Sequence, residues 1–197
     1  VWSQIFLILG SVLGAIYISR RIIYQNHIRF VYISLLIAVI IRMAAEFDIP
    51  ENIAETLGNG AISFATLAAL VVLLLIIHYT KPQHVRSSVW YSYIPLIIFP
   101  ALVFLVDSEG LLAILFMILQ ATALFVALFI IYLYAGNMNR KPALIGGFIF
   151  LLAGYGVYWY SGLEEQLLII ITNLCSGAGI LLVSYSLPEL LKNNVRK

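Results

Sequence analysis

The sequence predicts an all-α fold. It reads as a polytopic membrane protein with a seven-transmembrane-helix bundle, its N-terminus outside and its C-terminus cytoplasmic. The residues are 63% apolar and only 10% charged, with a mean hydropathy of +1.04. A water-facing domain of this length needs far more charged surface. Apolar residues gather in seven runs separated by short polar breaks, and those breaks alternate in charge.

The runs cover Val1–Ser19, Phe30–Phe47, Ala61–Tyr79, Val89–Val106, Leu111–Tyr134, Ala143–Tyr160 and Leu167–Leu187. Each is close to the ~20 residues that cross about 30 Å of hydrocarbon at 1.5 Å per residue. The runs do not alternate and are too long for strands of a membrane barrel. A helix satisfies every backbone N–H and C=O within one apolar segment, so helices are predicted. Residues 188–197 remain as a cytoplasmic tail or the start of an output helix.

Orientation follows from the breaks. Arg20, Arg21 and Arg29 flank the first, Lys81 and Arg86 lie in the third, Arg140 and Lys141 in the fifth, and Lys192, Arg196 and Lys197 in the tail. The second, fourth and sixth carry Asp48, Glu51 and Glu55, then Asp107 and Glu109, then Glu164 and Glu165. Basic breaks face the cytoplasm by the positive-inside rule, which places the N-terminus outside. Trp159 and Tyr160 fall at the outer interface, and Tyr79, Trp90, Tyr91, Tyr93, Tyr132 and Tyr134 at the inner one, as an aromatic belt does. The first run reads as a span, because charges and not a small-residue cleavage site follow it. Val rather than Met at position 1 fits an excerpt of a longer chain.

Taken in order, the first run holds Gly10 and Gly14 at GxxxG spacing, a close-packing surface for a neighbouring helix or for a second copy. After the second run, Asp48-Ile-Pro-Glu51 has the form of a helix start. Ile49, Ile53 and Leu57 then recur opposite Glu51 and Glu55 until Gly58. This pattern predicts a short amphipathic helix lying on the outer surface; an irregular loop is the alternative. Pro95 and Pro100 should kink the fourth helix. Gly147 and Gly154 in the sixth run and Gly179 in the seventh add further packing positions. Ser186-Leu-Pro-Glu189 has the form of a capping box that starts a new helix at the inner surface.

The chemistry carried by side chains is sparse. The one cysteine, Cys175, leaves no internal disulfide and no multi-cysteine metal site. His27, His78 and His84 lie in or beside basic breaks, so paired haem ligands in facing helices are unsupported. No HExxH is present, and the last run lacks the lysine that a retinal Schiff base needs. Nothing here calls for a cofactor, a metal or catalysis. No ionisable residue lies mid-run, against a proton or ion pump. Arg42 is the one basic residue beside the acidic breaks, and Glu46, four residues on, shares its helix face. Pairing with Glu46 or Asp48 explains Arg42 structurally. Recognition of an anionic ligand explains it functionally. With Ser63, Thr66, Tyr155, Tyr158 and Asn173 in the outer half and Gln120 near the middle, Arg42 and Glu46 outline a polar ligand cavity closed by the 48–60 segment. The alternative is that each side chain bonds a neighbouring helix at ~1 kcal/mol.

At Leu73–Glu109, LLLIIHYTKPQHVRSSVWYSYIPLIIFPALVFLVDSE, the chain resembles the N-terminal seven-helix sensor region of bacterial and archaeal histidine kinases. Tyr79, Thr80, Ile94, Pro95 and Asp107 match that pattern in kind, and the Arg20-Arg21 pair and helix layout fit it. The resemblance implies a signal-input module joined to a cytoplasmic kinase or cyclase, although no kinase domain lies within these residues. A seven-helix membrane sensor is therefore the expectation, in the plasma membrane. Its partners would be the lipid bilayer and a membrane protein or second copy, with no nucleic acid. A non-catalytic accessory subunit of a larger membrane complex is the rival. A small transporter is disfavoured by the lack of central charges and of visible repeat halves.

Overall fold

The computed structural model describes residues 2–23, 25–44, 51–81, 87–98, 109–134, 138–161 and 166–195, some of them by backbone alone. All regular structure among them is helical. The helices are α1 (Trp2–Arg21), α2 (Asn26–Ala44), α3 (Glu51–Thr80), α4 (Val89–Ile98), α5 (Glu109–Tyr134), α6 (Lys141–Ser161) and α7 (Gln166–Val195). By length and composition α1, α2 and the Gln166–Lys192 part of α7 are long and apolar enough to cross a membrane.

Sequential helices pack side by side, and α7 returns to pack on α1, so α1, α2, α3, α5, α6 and α7 form a ring. α7 also touches α3 across it, and α4 lies against α3. One stripe of each long helix faces inward. On α1 it is Ser3, Leu7, Gly10, Ser11, Gly14 and Ile18, the spacing of one helical face. The other faces expose large apolar residues such as Leu9, Leu13, Phe30, Phe125 and Phe129. Exposure on that scale suits contact with lipid. The most completely buried large side chains include Ile18, Ile28, Leu75, Ile76, Ile131, Leu144, Leu187, Leu190 and Leu191. These lie toward the end of the ring where α1, α3, α5 and α7 finish and α2 and α6 begin.

Two boundaries differ from those read in the sequence. α3 starts at Glu51 and runs without a break through Gly58 and Gly60 to Thr80, so the 51–58 part of the expected surface helix belongs to α3, while positions 48–50 lie outside the described residues. Each glycine costs about 1 kcal/mol in a helix relative to alanine, which weakens but does not stop one. Ile53, Leu57, Ala61, Ala65 and Ala68 keep one phase across the glycines, so a single helix serves the whole stretch. α7 likewise continues through Pro188 to Val195 instead of restarting at Ser186. Asn173, Gly177, Ile180, Ser184, Leu187 and Leu191 form one buried stripe, and Pro188 lies off it. A mid-helix proline costs about 3 kcal/mol. Burial of Leu187, Leu190 and Leu191 contributes roughly 1.5–3 kcal/mol each, which decides for continuity.

Pro95 sits where α4 passes from a 3-10 turn, Val89–Tyr93, into α-helix. An α-helix would pair the missing Pro95 N–H with the Tyr91 carbonyl; the Ile94 N–H takes that carbonyl instead. The proline thus marks a change of helix type and not a mid-helix kink. Pro100 lies outside the described residues.

Glycines set the approach of α6 and α1 to α7. A Cβ on Gly147 would lie 2.9 Å from Val183 Cγ2 and 3.0 Å from the Val183 backbone nitrogen. One on Gly179 would lie 2.9 Å from the Gly147 carbonyl oxygen. Backbone blocks these contacts, so neither position has room for a side chain. We expect Gly147→Leu and Gly179→Leu each to destabilise the fold by about 1–3 kcal/mol, read as a lowered unfolding midpoint in detergent. Gly156, which has nothing within 4 Å of an added Cβ, should accept alanine without loss. An unchanged midpoint for the leucine variants would refute this packing.

Candidate functional site

Of the residues that outline a cavity in the sequence, Arg42, Gln120, Tyr155 and Asn173 have described side chains. The buried Asn173 amide donates to Ser3 Oγ at 3.4 Å, tying α7 to the first turn of α1. The Tyr155 hydroxyl donates to the Met117 carbonyl at 3.2 Å, tying α6 to α5. Gln120 is buried on α5. Arg42, half-buried in the last turn of α2, is engaged with the rest of the fold. Ser63 and Thr66 lie on α3 and Tyr158 on α6, but their side chains, and all of Glu46, are outside the described residues. The predicted packing glycines line the α1–α7 and α6–α7 contacts. Gly10 lies against Gly177, Gly14 against Ser184 and Leu36, Gly147 against Val183, Gly154 against Ser176, and Gly179 against Leu151.

A better-defined cluster lies at the opposite, basic end, where α1 and α7 finish and α6 begins. Glu189 is its centre. One carboxylate oxygen accepts the Asn139 N–H at 2.9 Å and the other the Arg140 N–H at 3.2 Å. A helix leaves its first N–H groups unpaired, so Glu189 of α7 acts as a remote cap for α6. The buried Met138 anchors the turn from inside, and Pro142 in the first turn has no N–H to satisfy.

Arg140 completes the clasp. Its Nη1 donates to the Tyr17 hydroxyl and to the Tyr185 carbonyl, each at 2.9 Å, and its Nε lies 3.7 Å from Glu189. The guanidinium stacks over the Tyr185 ring at 3.9 Å. Tyr185 precedes Pro188 by three residues. The carbonyl that Pro188 leaves without a helix N–H is that of Ser184, four residues back, and Arg140 uses the next one along. The hydrogen bond to Tyr17, with Tyr185 and Glu189 beside it, raises the Arg140 pKa further above its already high ordinary value. The sign is that of a cation favoured by folding. Its contribution is present throughout the neutral range and lost only as pH rises past the arginine range.

Other contacts fasten the same end. The Gln25 amide donates to the Leu191 carbonyl at 3.4 Å. His27 Nδ1 lies 2.9 Å from the Tyr93 hydroxyl, and both rings pack edgewise or tilted on Trp90. Inside the ring, the Tyr32 hydroxyl pairs with Ser184 Oγ at 2.9 Å, joining α2 to α7. Among the described residues no group of three or more His, Cys, Asp or Glu is placed to hold a metal ion.

The clasp is hidden in the sequence, where Ser186-Leu-Pro-Glu189 has the form of a cap for its own helix. One signal was present. Arg42 is the lone base beside the acidic breaks, and Glu189 is the lone acid on the basic side. A single carboxylate among many cations at an interface has an obvious partner among them. No protein-family model matches the chain, and no curated protein or solved structure matches it at a significant level.

We expect Glu189→Ala to cost about 1 kcal/mol through loss of the cap, and Glu189→Gln, which keeps one acceptor oxygen, to cost less. Chemical unfolding in detergent measures both. Equal costs for the two variants would exclude capping as the role of Glu189.

Proposed function

We propose that this chain is the signal-input module of a membrane sensor or receptor-like protein, a seven-span bundle of the plasma membrane with its N-terminus outside. Its basic end, with the clasp, faces the cytoplasm. A small ligand or membrane partner engages the outer half around Arg42 and Glu46, and a cytoplasmic kinase or cyclase reads the change. The module performs no chemistry of its own.

The observation that supports this reading best is the course of α7. It is one helix from Gln166 to Val195, bonded to α1 near its start through Asn173 and gripped near its end by Arg140. A single helix held at two depths couples events at one end to the other as rotation or translation of a rod. The small residues along its α6 face let two backbones slide with little interlocking of side chains. An accessory subunit of a larger complex is the second reading, favoured by the exposed Trp90, Tyr91 and Ile97 of α4. Such a patch suits a protein neighbour as well as lipid.

Two measurements test these readings. In a Cys175→Ser background, a cysteine at Asn139 should label only after cells are permeabilised, and one at Glu164 should label from outside; the opposite pattern inverts the topology. With α7 fused in helical register to a kinase output helix, Arg42→Gln with Glu46→Gln should change autophosphorylation roughly fivefold or more. Unchanged output would remove the proposed site. Stoichiometric recovery of a membrane protein complex from native membranes would favour the accessory role instead.

A further inference from the structure

We infer that the clasp end carries a binding site for the headgroup of an anionic phospholipid, seated where α1, α6 and α7 meet. The inference rests on the membrane-spanning part of the reading above and not on orientation or sensing.

Tyr17 brings two guanidiniums together. Arg140 donates to its hydroxyl at 2.9 Å, and Arg21 lies over its ring at 5.7 Å. Like charges so placed repel unless an anion lies between or beside them. The one carboxylate at hand, Glu189, has both oxygens committed to backbone N–H groups of the α6 turn. Lys141 adds a third cation, held at the end of α5 by the Tyr132 carbonyl at 2.8 Å and by the Tyr132 ring. The cluster is therefore short of negative charge.

Donors remain as well. Arg140 spends both Nη1 hydrogens on Tyr17 and Tyr185 and turns Nε toward Glu189, and no described residue accepts from Nη2. Its side chain is 34% exposed, so solvent or a ligand reaches it. A guanidinium with one free N–H₂ edge, sharing Tyr17 with a second guanidinium and followed in the chain by a lysine, has the chemistry of a phosphate site.

The surroundings choose a lipid over a free anion. Tyr132 and Tyr185 are exposed beside the cations, as amphipathic rings are at headgroup depth. Leu9, Leu13 and Ile16 form an exposed apolar stripe along α1 that leads to Arg20 and Arg21. A free phosphate makes no use of that stripe. A phospholipid lays its acyl chains along it while its phosphate meets the cations.

The test uses the full chain in phosphatidylcholine nanodiscs containing spin-labelled phosphatidylglycerol, with the motionally restricted fraction as readout. Labelled phosphatidylglycerol should be retained over labelled phosphatidylcholine at about 0.1 M salt. Arg21→Gln with Lys141→Gln should lower that preference by roughly fivefold or more, since each basic residue near an anionic surface contributes about 1 kcal/mol. Arg29→Gln with Lys81→Gln, an equal charge loss at the same end, should have less than half the effect. Equal effects from the two pairs would replace a site with a diffuse field and overturn the proposal. Displacement of the lipid by millimolar inorganic phosphate would overturn it in favour of a free-anion site. If the double variant does not fold, Arg21→Gln alone decides, because Arg21 contributes only its ring contact to the clasp. Nanodiscs offer the same lipids to both faces, so an inverted topology leaves this result unchanged, while loss of lipid selectivity leaves the cysteine-labelling result unchanged.

Discussion

Three helix ends depend on one carboxylate. Glu189 accepts the two N–H groups that open α6 and sits beside the guanidinium that binds α1 and α7. In water such an arrangement is worth little, because solvent competes for every donor. At the edge of an apolar bundle the competition is weaker, and an unmet N–H or an unpaired charge costs more than the bond gains. The clasp lies at the end of the ring where Ile18, Leu144, Leu187 and Leu190 are fully buried. Polar closure and apolar packing reinforce each other there.

Continuity of α7 follows from the same balance. A proline at position 188 argues for a helix boundary when only local pattern is weighed, and a capping sequence around it strengthens that argument. The buried stripe from Asn173 to Leu191 outweighs both, because apolar burial after the proline exceeds the cost of one lost hydrogen bond. The carbonyl at Tyr185, one turn upstream, is then used by Arg140.

Much of the helical layout was legible because lipid is an undemanding but strict solvent: long apolar runs admit one backbone solution. All the described elements are helices, and α1, α2 and α7 have the length and composition of spans. The ends were less legible. Gly58 and Ser186 carry strong local stop and start signals, yet α3 and α7 pass through them, since phase along a helix is a longer-range property than capping. Pairings across the bundle were barely legible, the lone acid on the basic side being the one hint. Tyr17, Arg140 and the Tyr185–Glu189 turn are far apart in sequence and meet only because α1, α6 and α7 are neighbours in the ring. Asn173 and Tyr155, two of the polar residues that outline a cavity in the sequence, each bond an adjacent helix, a pairing that depth along a run does not specify.

Ser184 occupies a junction with consequences for how this chain can vary. Its hydroxyl bonds Tyr32 on α2, and a Cβ added at Gly14 of α1 would lie 2.6 Å from it. Giving position 14 a methyl group requires the residue at 184 to withdraw or shrink. The buried Tyr32 hydroxyl is then left with the Ile180 carbonyl alone, a longer contact at 3.5 Å. A change at position 14 is thus felt first at 184 and then at 32, so one added methyl group on α1 weakens a hydrogen bond between two other helices.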